Sequence, residues 1–189
     1  MECGSNHHCR TFKPFVEWLY FFVVRQPCRY SDWLRRYPGS KIFPQFGKEQ
    51  MSKEFMKKKI AYIHIEKLGG RRKHVSIGES WYDNSGWKNK SFRAYHDYMT
   101  TAPFNEAINE ILSPVGNYDA LAIMCAEALA WRCHRRMIGD YICLVESICV
   151  YNIIENKQQV APHNLASFAR LCDSKTITYL KLRSSTNSS

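Results

Sequence analysis

No stretch of this chain approaches the ~20 consecutive apolar residues that a membrane-crossing helix needs. The richest run, Phe15 to Val24, is short and carries Glu17, so a membrane partner is excluded and the run is assigned to the core. The run also lacks a basic leader and a small-residue cleavage site, which argues against a secretory signal. Missing too is any Cys-x-x-Cys pair among the eight cysteines, at 3, 9, 28, 125, 133, 143, 149 and 172. Irregular spacing without a signal excludes a disulfide framework and reads as the reduced thiols of a cytosolic, cytoplasmic protein. Most are expected to be core fillers, Cys143 and Cys149 most clearly. Internal repeats are absent. Acidic residues are scarce: 17 against 27 lysines and arginines, a net charge of +10 and a pI near 9.3. That balance favours an anionic partner, a nucleotide or a nucleic acid.

What is present describes an ordinary globular chain of 189 residues with 45% hydrophobic content. The expectation is a single domain over residues 1–183, followed by a disordered polar tail at 184–189. Ile60-Ala61-Tyr62-Ile63-His64-Ile65 is the best strand, rich in β-branched and aromatic residues and stopped by a glycine pair. Leu121 to Met124 and Cys149 to Ile154 read as further strands. Helices are predicted over 52–59, 92–99, 103–112 (with Thr101 as N-cap and Pro103 in the first turn) and about 131–145. Strand–helix alternation of this kind predicts an α/β domain, three-layered and Rossmann-like, with a mostly parallel sheet.

The densest chemistry lies where the strand ending at Met124 meets the helix after it. Cys125, Glu127, Cys133, His134 and Arg135 fall within eleven residues, and ligands of open α/β sheets bind at such turns. A thiol near a helix N-terminus and an imidazole is favoured as thiolate. Cys125 is therefore the candidate nucleophile, with His134 as general base and Glu127 as acid, base or sugar contact. Each has a plainer reading: Cys125 as a small buried strand end, Glu127 as a helix-start carboxylate. No metal is expected, because neighbours such as Cys133 and His134 on one helix diverge by about 100° and hardly share an ion. No cofactor is named by the sequence.

Gly69-Gly70-Arg71-Arg72 follows the best strand. The glycines allow close backbone approach to a ligand, and the arginines suit a phosphate. Trp81, Trp87, Phe92, Arg93 and Tyr95 interleave rings with cations, as single-strand binders do, although a loop anchored by its own aromatics fits them better. Lys57-Lys58-Lys59 reads as a solvated helix end.

Several of these segments together resemble the domain of unknown function 488 family. The matching residues are Arg35-Arg36-Tyr37-Pro38-Gly39-Ser40, Pro44-Gln45-Phe46, Tyr62-Ile63-His64-Ile65, Leu68-Gly69-Gly70-Arg71 and Phe92-Arg93-Ala94-Tyr95. Tyr98-Met99, Met124-Cys125-Ala126-Glu127, Cys133-His134-Arg135, Val150-Tyr151-Asn152-Ile153 and His163 to Ala169 complete the set, spanning about residues 35–180. The resemblance implies a compact α/β domain with the cysteine–glutamate and cysteine–histidine–arginine motifs clustered. It implies no settled activity. The N-terminal part departs from the family pattern. Asn6 to Arg10 stands where the family has a strand ending in a Gly-His/Tyr-Ser turn, and Trp33 stands where it has an aspartate, with Asp32 one step away. The chain thus reads as a truncated or divergent member.

The functional expectation is a protein that binds a nucleotide or nucleic acid at the strand ends and acts on it through Cys125, Glu127 and His134. Gly69, Gly70, Arg71, Arg93, Cys133 and Arg135 would hold the ligand or its phosphate. The alternatives are a non-catalytic basic nucleic-acid-binding module and a thiol redox or metal protein.

Overall fold

Leu121-Ala122-Ile123-Met124-Cys125 is apolar at every position, the pattern of a strand covered on both faces. In the computed structural model it forms a fully buried strand at the centre of a six-stranded sheet. The structure describes residues 20–24, 30–33, 47–72, 83–114, 121–125, 127, 130–154 and 159–181, with the backbone alone at 20–24, 30–33, 130, 154, 159 and 160. The motifs at 6–10, 35–40 and 44–46, together with Trp81 and the tail at 184–189, lie outside the described residues.

The sheet strands are β1 (Tyr20–Val24), β2 (Tyr30–Trp33), β3 (Ala61–His64), β4 (Leu121–Cys125), β5 (Tyr151–Ile154) and β6 (Gln159–Pro162), in spatial order β3-β2-β4-β1-β5-β6. β2 runs parallel to both β3 and β4, whereas β1 is antiparallel to β4 and β5, and β5 is antiparallel to β6. The mostly parallel sheet expected from strand–helix alternation is therefore corrected to a mixed one, parallel only over β3-β2-β4. One cause is local and the other is a long-range pairing. The short connection from Ile154 to Gln159 permits only a hairpin, because a parallel crossover needs a dozen or more residues. The strand inside the early apolar run lies reversed against β4. A second hairpin, β7 (Ala169–Leu171) with β8 (Ile177–Tyr179), forms its own two-stranded ladder. The fold is α/β overall.

Among the described residues four helices flank this framework: α1 (Lys48–Lys57), α2 (Lys90–Met99), α3 (Ala102–Leu112) and α4 (Arg135–Leu144). Alternate side chains of β4 separate two cores. Leu121 and Ile123 join Tyr95, Phe104, Ile108, Ile138 and Ile142 from α2, α3 and α4, while Met124 joins Met51 and Phe55 of α1. Helices thus cover both faces of the central strand. Asn89 caps α2 by accepting from Ser91 N–H at 2.8 Å. Lys57, Lys58 and Lys59 are exposed at the end of α1, with Lys59 at φ 57°, so the basic run is a solvated helix end. None of the described helices is long and apolar enough to cross a membrane.

In the described part of the aromatic–basic segment, Trp87, Phe92 and Tyr95 pack into the core. Trp87 is 6% exposed and packs its ring against Phe92, Phe168 and Tyr179 at centroid distances of 4.8, 4.9 and 5.1 Å. Below it, Asp140 on α4 is wholly buried. It accepts from His163 Nε2 at 2.8 Å, Tyr179 Oη at 3.1 Å and Ala166 N–H at 3.3 Å, tying α4 to the C-terminal strands. Cysteine burial departs from expectation. Cys143 is half-buried, and Cys149, expected in the core, is exposed in the turn after α4.

Candidate functional site

Because β2 is parallel to both β3 and β4, the carboxyl ends of β3 and β4 lie at one edge of the sheet, one strand apart. After β3 the chain makes a 3-10 turn (Glu66–Leu68) and then runs through Gly69-Gly70-Arg71-Arg72. Three side chains hold this loop by its carbonyls. Arg72 donates from Nε to Gly69 O at 3.0 Å and from Nη2 to Lys67 O, with its guanidinium carbon 3.6 Å from the centre of the Tyr98 ring. Tyr98 Oη donates to Lys67 O at 2.7 Å, and the buried Tyr95 donates to Leu68 O at 2.9 Å. Arg72 is thus a brace of the loop, and Arg71 beside it is exposed.

β4 ends in Cys125, 9% exposed. The chain returns through a second 3-10 turn, Ala130–Arg132, and α4 starts only at Arg135, with His134 as its N-cap residue. The helix was expected from about Trp131. The later start matters, because Cys133 and His134 sit in a turn and not on a regular helix. The 100° divergence expected of helical neighbours therefore does not apply. Cys133 Sγ and His134 Nδ1 are 3.5 Å apart, and Cys125 Sγ, Cys133 Sγ and a His134 ring nitrogen all lie within 4.8 Å of one another.

Two neighbours fix the imidazole. The Tyr95 ring lies 5.1 Å away, centroid to centroid. Gly70 lies so close that a Cβ built there would stand 2.5 Å from His134 Nδ1 and 3.0 Å from Cγ and Cε1. The glycine pair was read from sequence as room for a ligand; at Gly70 the room is taken up by His134. His134 Nε2 is buried and has no hydrogen-bond partner among the described residues.

Arg135 was expected to hold phosphate. It is instead 1% exposed and turned inward. Its Nε donates to Cys133 Sγ at 3.3 Å, its backbone N–H to the same sulfur at 3.5 Å, and its Nη2 to Glu127 O at 2.6 Å. A buried guanidinium costs several kcal/mol unless an anion accompanies it. The surroundings of the Cys133 sulfur favour such an anion. Burial pushes the Cys133 thiol up, but a hydrogen bond from Cys125, the charge of Arg135 and its N–H donors outweigh burial and bring it down to about 6. Cys125 moves the opposite way, well above the usual thiol range, because it shares its proton with Cys133, is buried and faces the charge on Cys133. The pair thus favours the anion on Cys133 over Cys125, where it was expected. Burial lowers the His134 imidazole, with Arg135 and Arg72 adding to the effect and Cys125 and the Leu68 carbonyl opposing it, so the ring next to the sulfur is neutral at neutral pH.

The other expected residues divide. Glu127 is exposed, and its backbone carbonyl is the group that ties it to Arg135. Gly69 is buried in the loop and accepts from Arg72. Arg93, on α2, donates from Nε to Trp87 O at 2.6 Å and braces the segment before its helix. Arg132 and Trp131, the latter 57% exposed, border the cluster on the solvent side of the second 3-10 turn. Sequence reasoning missed the bracing roles of Tyr95, Tyr98 and Arg72. Their signal was an aromatic pair three apart on one helix, which places both rings on one face.

Neither the curated proteins nor the solved structures contain a match to the chain. One family model does match, Domain of unknown function DUF488, over residues 34–142. That span holds β3, the Gly69-Gly70 loop, α2, α3, β4, both cysteines, His134 and most of α4, which is more than half the chain and the whole of the cluster. The chain belongs to the DUF488 family.

Proposed function

We propose that this protein binds a nucleotide or a nucleic-acid strand at the carboxyl edge of β3 and β4 and acts on it through Cys125, Cys133 and His134. The observation that carries this reading is the meeting of two sulfurs and an imidazole at that edge, within 4.8 Å. Ligands of α/β sheets bind beyond the carboxyl ends of parallel strands, and β3, β2 and β4 are the parallel part of this sheet. Arg71, Arg132 and Trp131 are exposed on the loops that border the cluster: two cations for phosphate and one ring for a base. The net charge of +10 draws an anion toward them. Gly69 and Gly70 shape the loop, Glu127 stands exposed at the rim, and Arg135 positions Cys133. Arg93 holds the fold. Among the described residues, Cys125, Cys133, Cys143, Cys149 and Cys172 form no disulfide.

The test is a binding titration of ATP and of a labelled single-stranded RNA against salt. Affinity should fall steeply as salt rises and should drop in the double variant Arg71→Ala, Arg132→Ala. Absence of binding to both probes at low salt would remove the reading.

A further inference from the structure

We propose that Cys125, Cys133 and His134 form a zinc site in which the described residues supply three ligands and leave one coordination position open. The open position deepens the reading above and rests on it; the three-ligand site stands on its own geometry.

Distance is the first argument. A tetrahedral zinc ion with bonds of about 2.3 Å to sulfur and 2.0–2.1 Å to nitrogen sets its sulfur and nitrogen ligands roughly 3.6 Å apart and its sulfurs roughly 3.8 Å apart. Cys133 Sγ and His134 Nδ1 already stand 3.5 Å apart, and every pair in the cluster is within 4.8 Å. The donor set is the second argument. Two thiolates and an imidazole suit zinc, and the two sulfur charges cancel those of the ion.

The surroundings supply the third. Metal-bound thiolates and imidazoles are held by outer hydrogen bonds. Cys133 Sγ receives two of them from Arg135, through its backbone N–H and its Nε. His134 Nε2 is buried without a partner, a costly state for a ring nitrogen. An ion on one ring nitrogen fixes the hydrogen on the other. The bare backbone of Gly70 lets the imidazole stand where any Cβ would collide with it.

The count of ligands gives the open position. Among the described residues no fourth histidine, cysteine or carboxylate joins the cluster. Closed four-ligand sites are structural, whereas three-ligand sites leave a place for water or substrate. Zinc there supplies a Lewis acid that polarises a phosphoryl or carbonyl oxygen of the bound ligand.

The experiment uses the full chain, reduced, stripped of metal and dialysed against Zn(II), with no nucleotide present. Elemental analysis should find one ion per chain. Iodoacetamide labelling mapped by mass spectrometry should find Cys125 and Cys133 protected by zinc while Cys149 and Cys172, both exposed, stay reactive. Co(II) in place of zinc should give thiolate charge-transfer bands and tetrahedral d–d bands. Cys133→Ser and His134→Ala should each weaken binding by more than the roughly 10–100-fold that outer-shell changes cost. Labelling of the native chain needs no variant, so a variant that fails to fold does not blunt the test. Sub-stoichiometric zinc, zinc that protects Cys3 and Cys9 instead, or a Cys133→Ser chain that folds and keeps its ion would overturn the proposal. Zinc bound with no nucleotide affinity would instead sink the preceding reading alone.

Discussion

Replacing Gly70 by alanine presses directly on the imidazole. The new Cβ would stand 2.5 Å from His134 Nδ1, against 3.4 Å for ordinary contact, so about 0.9 Å must be found. The loop cannot easily give it. Its carbonyls at Lys67, Leu68 and Gly69 are held by Arg72, Tyr98 and Tyr95. The ring must therefore move. Overpacking of this sort costs roughly 1–3 kcal/mol, which for a chain of this size lowers Tm by about 2–12 °C. The effect on a bound ion is larger in proportion, because metal–ligand distances tolerate only about 0.2 Å. A competition between the protein and a chromophoric zinc chelator, with thermal melts of the metal-free chains alongside, reads both effects. Gly70→Ala should lose at least ~100-fold in zinc affinity while keeping its fold. Unchanged affinity and unchanged Tm would refute the claim that this glycine exists to admit the histidine.

Two further outcomes follow from buried groups outside the cluster. Asp140→Ala strands the donors of His163, Tyr179 and Ala166 and should cost about 3–5 kcal/mol in urea unfolding, with Asp140→Asn costing less; a loss under about 1 kcal/mol would show the network to be dispensable. Burial holds the His96 imidazole below its ordinary value of 6.5, only partly offset by its bond to Ile177 O and by Asp97. The unfolded chain therefore takes up a proton that the folded chain refuses. Stability is full above pH 6.5 and should fall as pH drops below it, by up to about 1.4 kcal/mol per pH unit from this group. His96→Gln should flatten that slope in denaturant melts between pH 7 and 5, and an identical slope would assign the loss elsewhere.

The readability of this chain followed the reach of each signal. β4 was plain because a buried strand announces itself in a few contiguous apolar residues, β3 because β-branched and aromatic residues crowd it ahead of a glycine pair, and α3 because Phe104, Ala107, Ile108 and Ile111 keep helical spacing. Strand direction was not plain. It depends on which distant strand lies alongside, and nothing in Tyr20 to Val24 says that it runs against β4. The chemistry at 125–135 stood out as a concentration of reactive types. Its inner arrangement did not, because it turns on a helix that begins four residues late. That shift turns the Cys133 sulfur toward the His134 ring and draws Arg135 inside against it. Arg93 and Arg72 illustrate a further limit. A guanidinium's sequence context does not reveal whether it faces a phosphate or a backbone carbonyl of its own chain.

The candidate site requires the sulfurs of Cys125 and Cys133 to be neighbours. Phenylarsine oxide bridges a pair of thiols only when they lie within a few ångströms of each other, whatever metal or ligand the protein prefers. Treating the native, metal-free chain and mapping the bridged peptides by mass spectrometry should link Cys125 to Cys133. Arsenic found on other cysteines, with those two never joined, would contradict it.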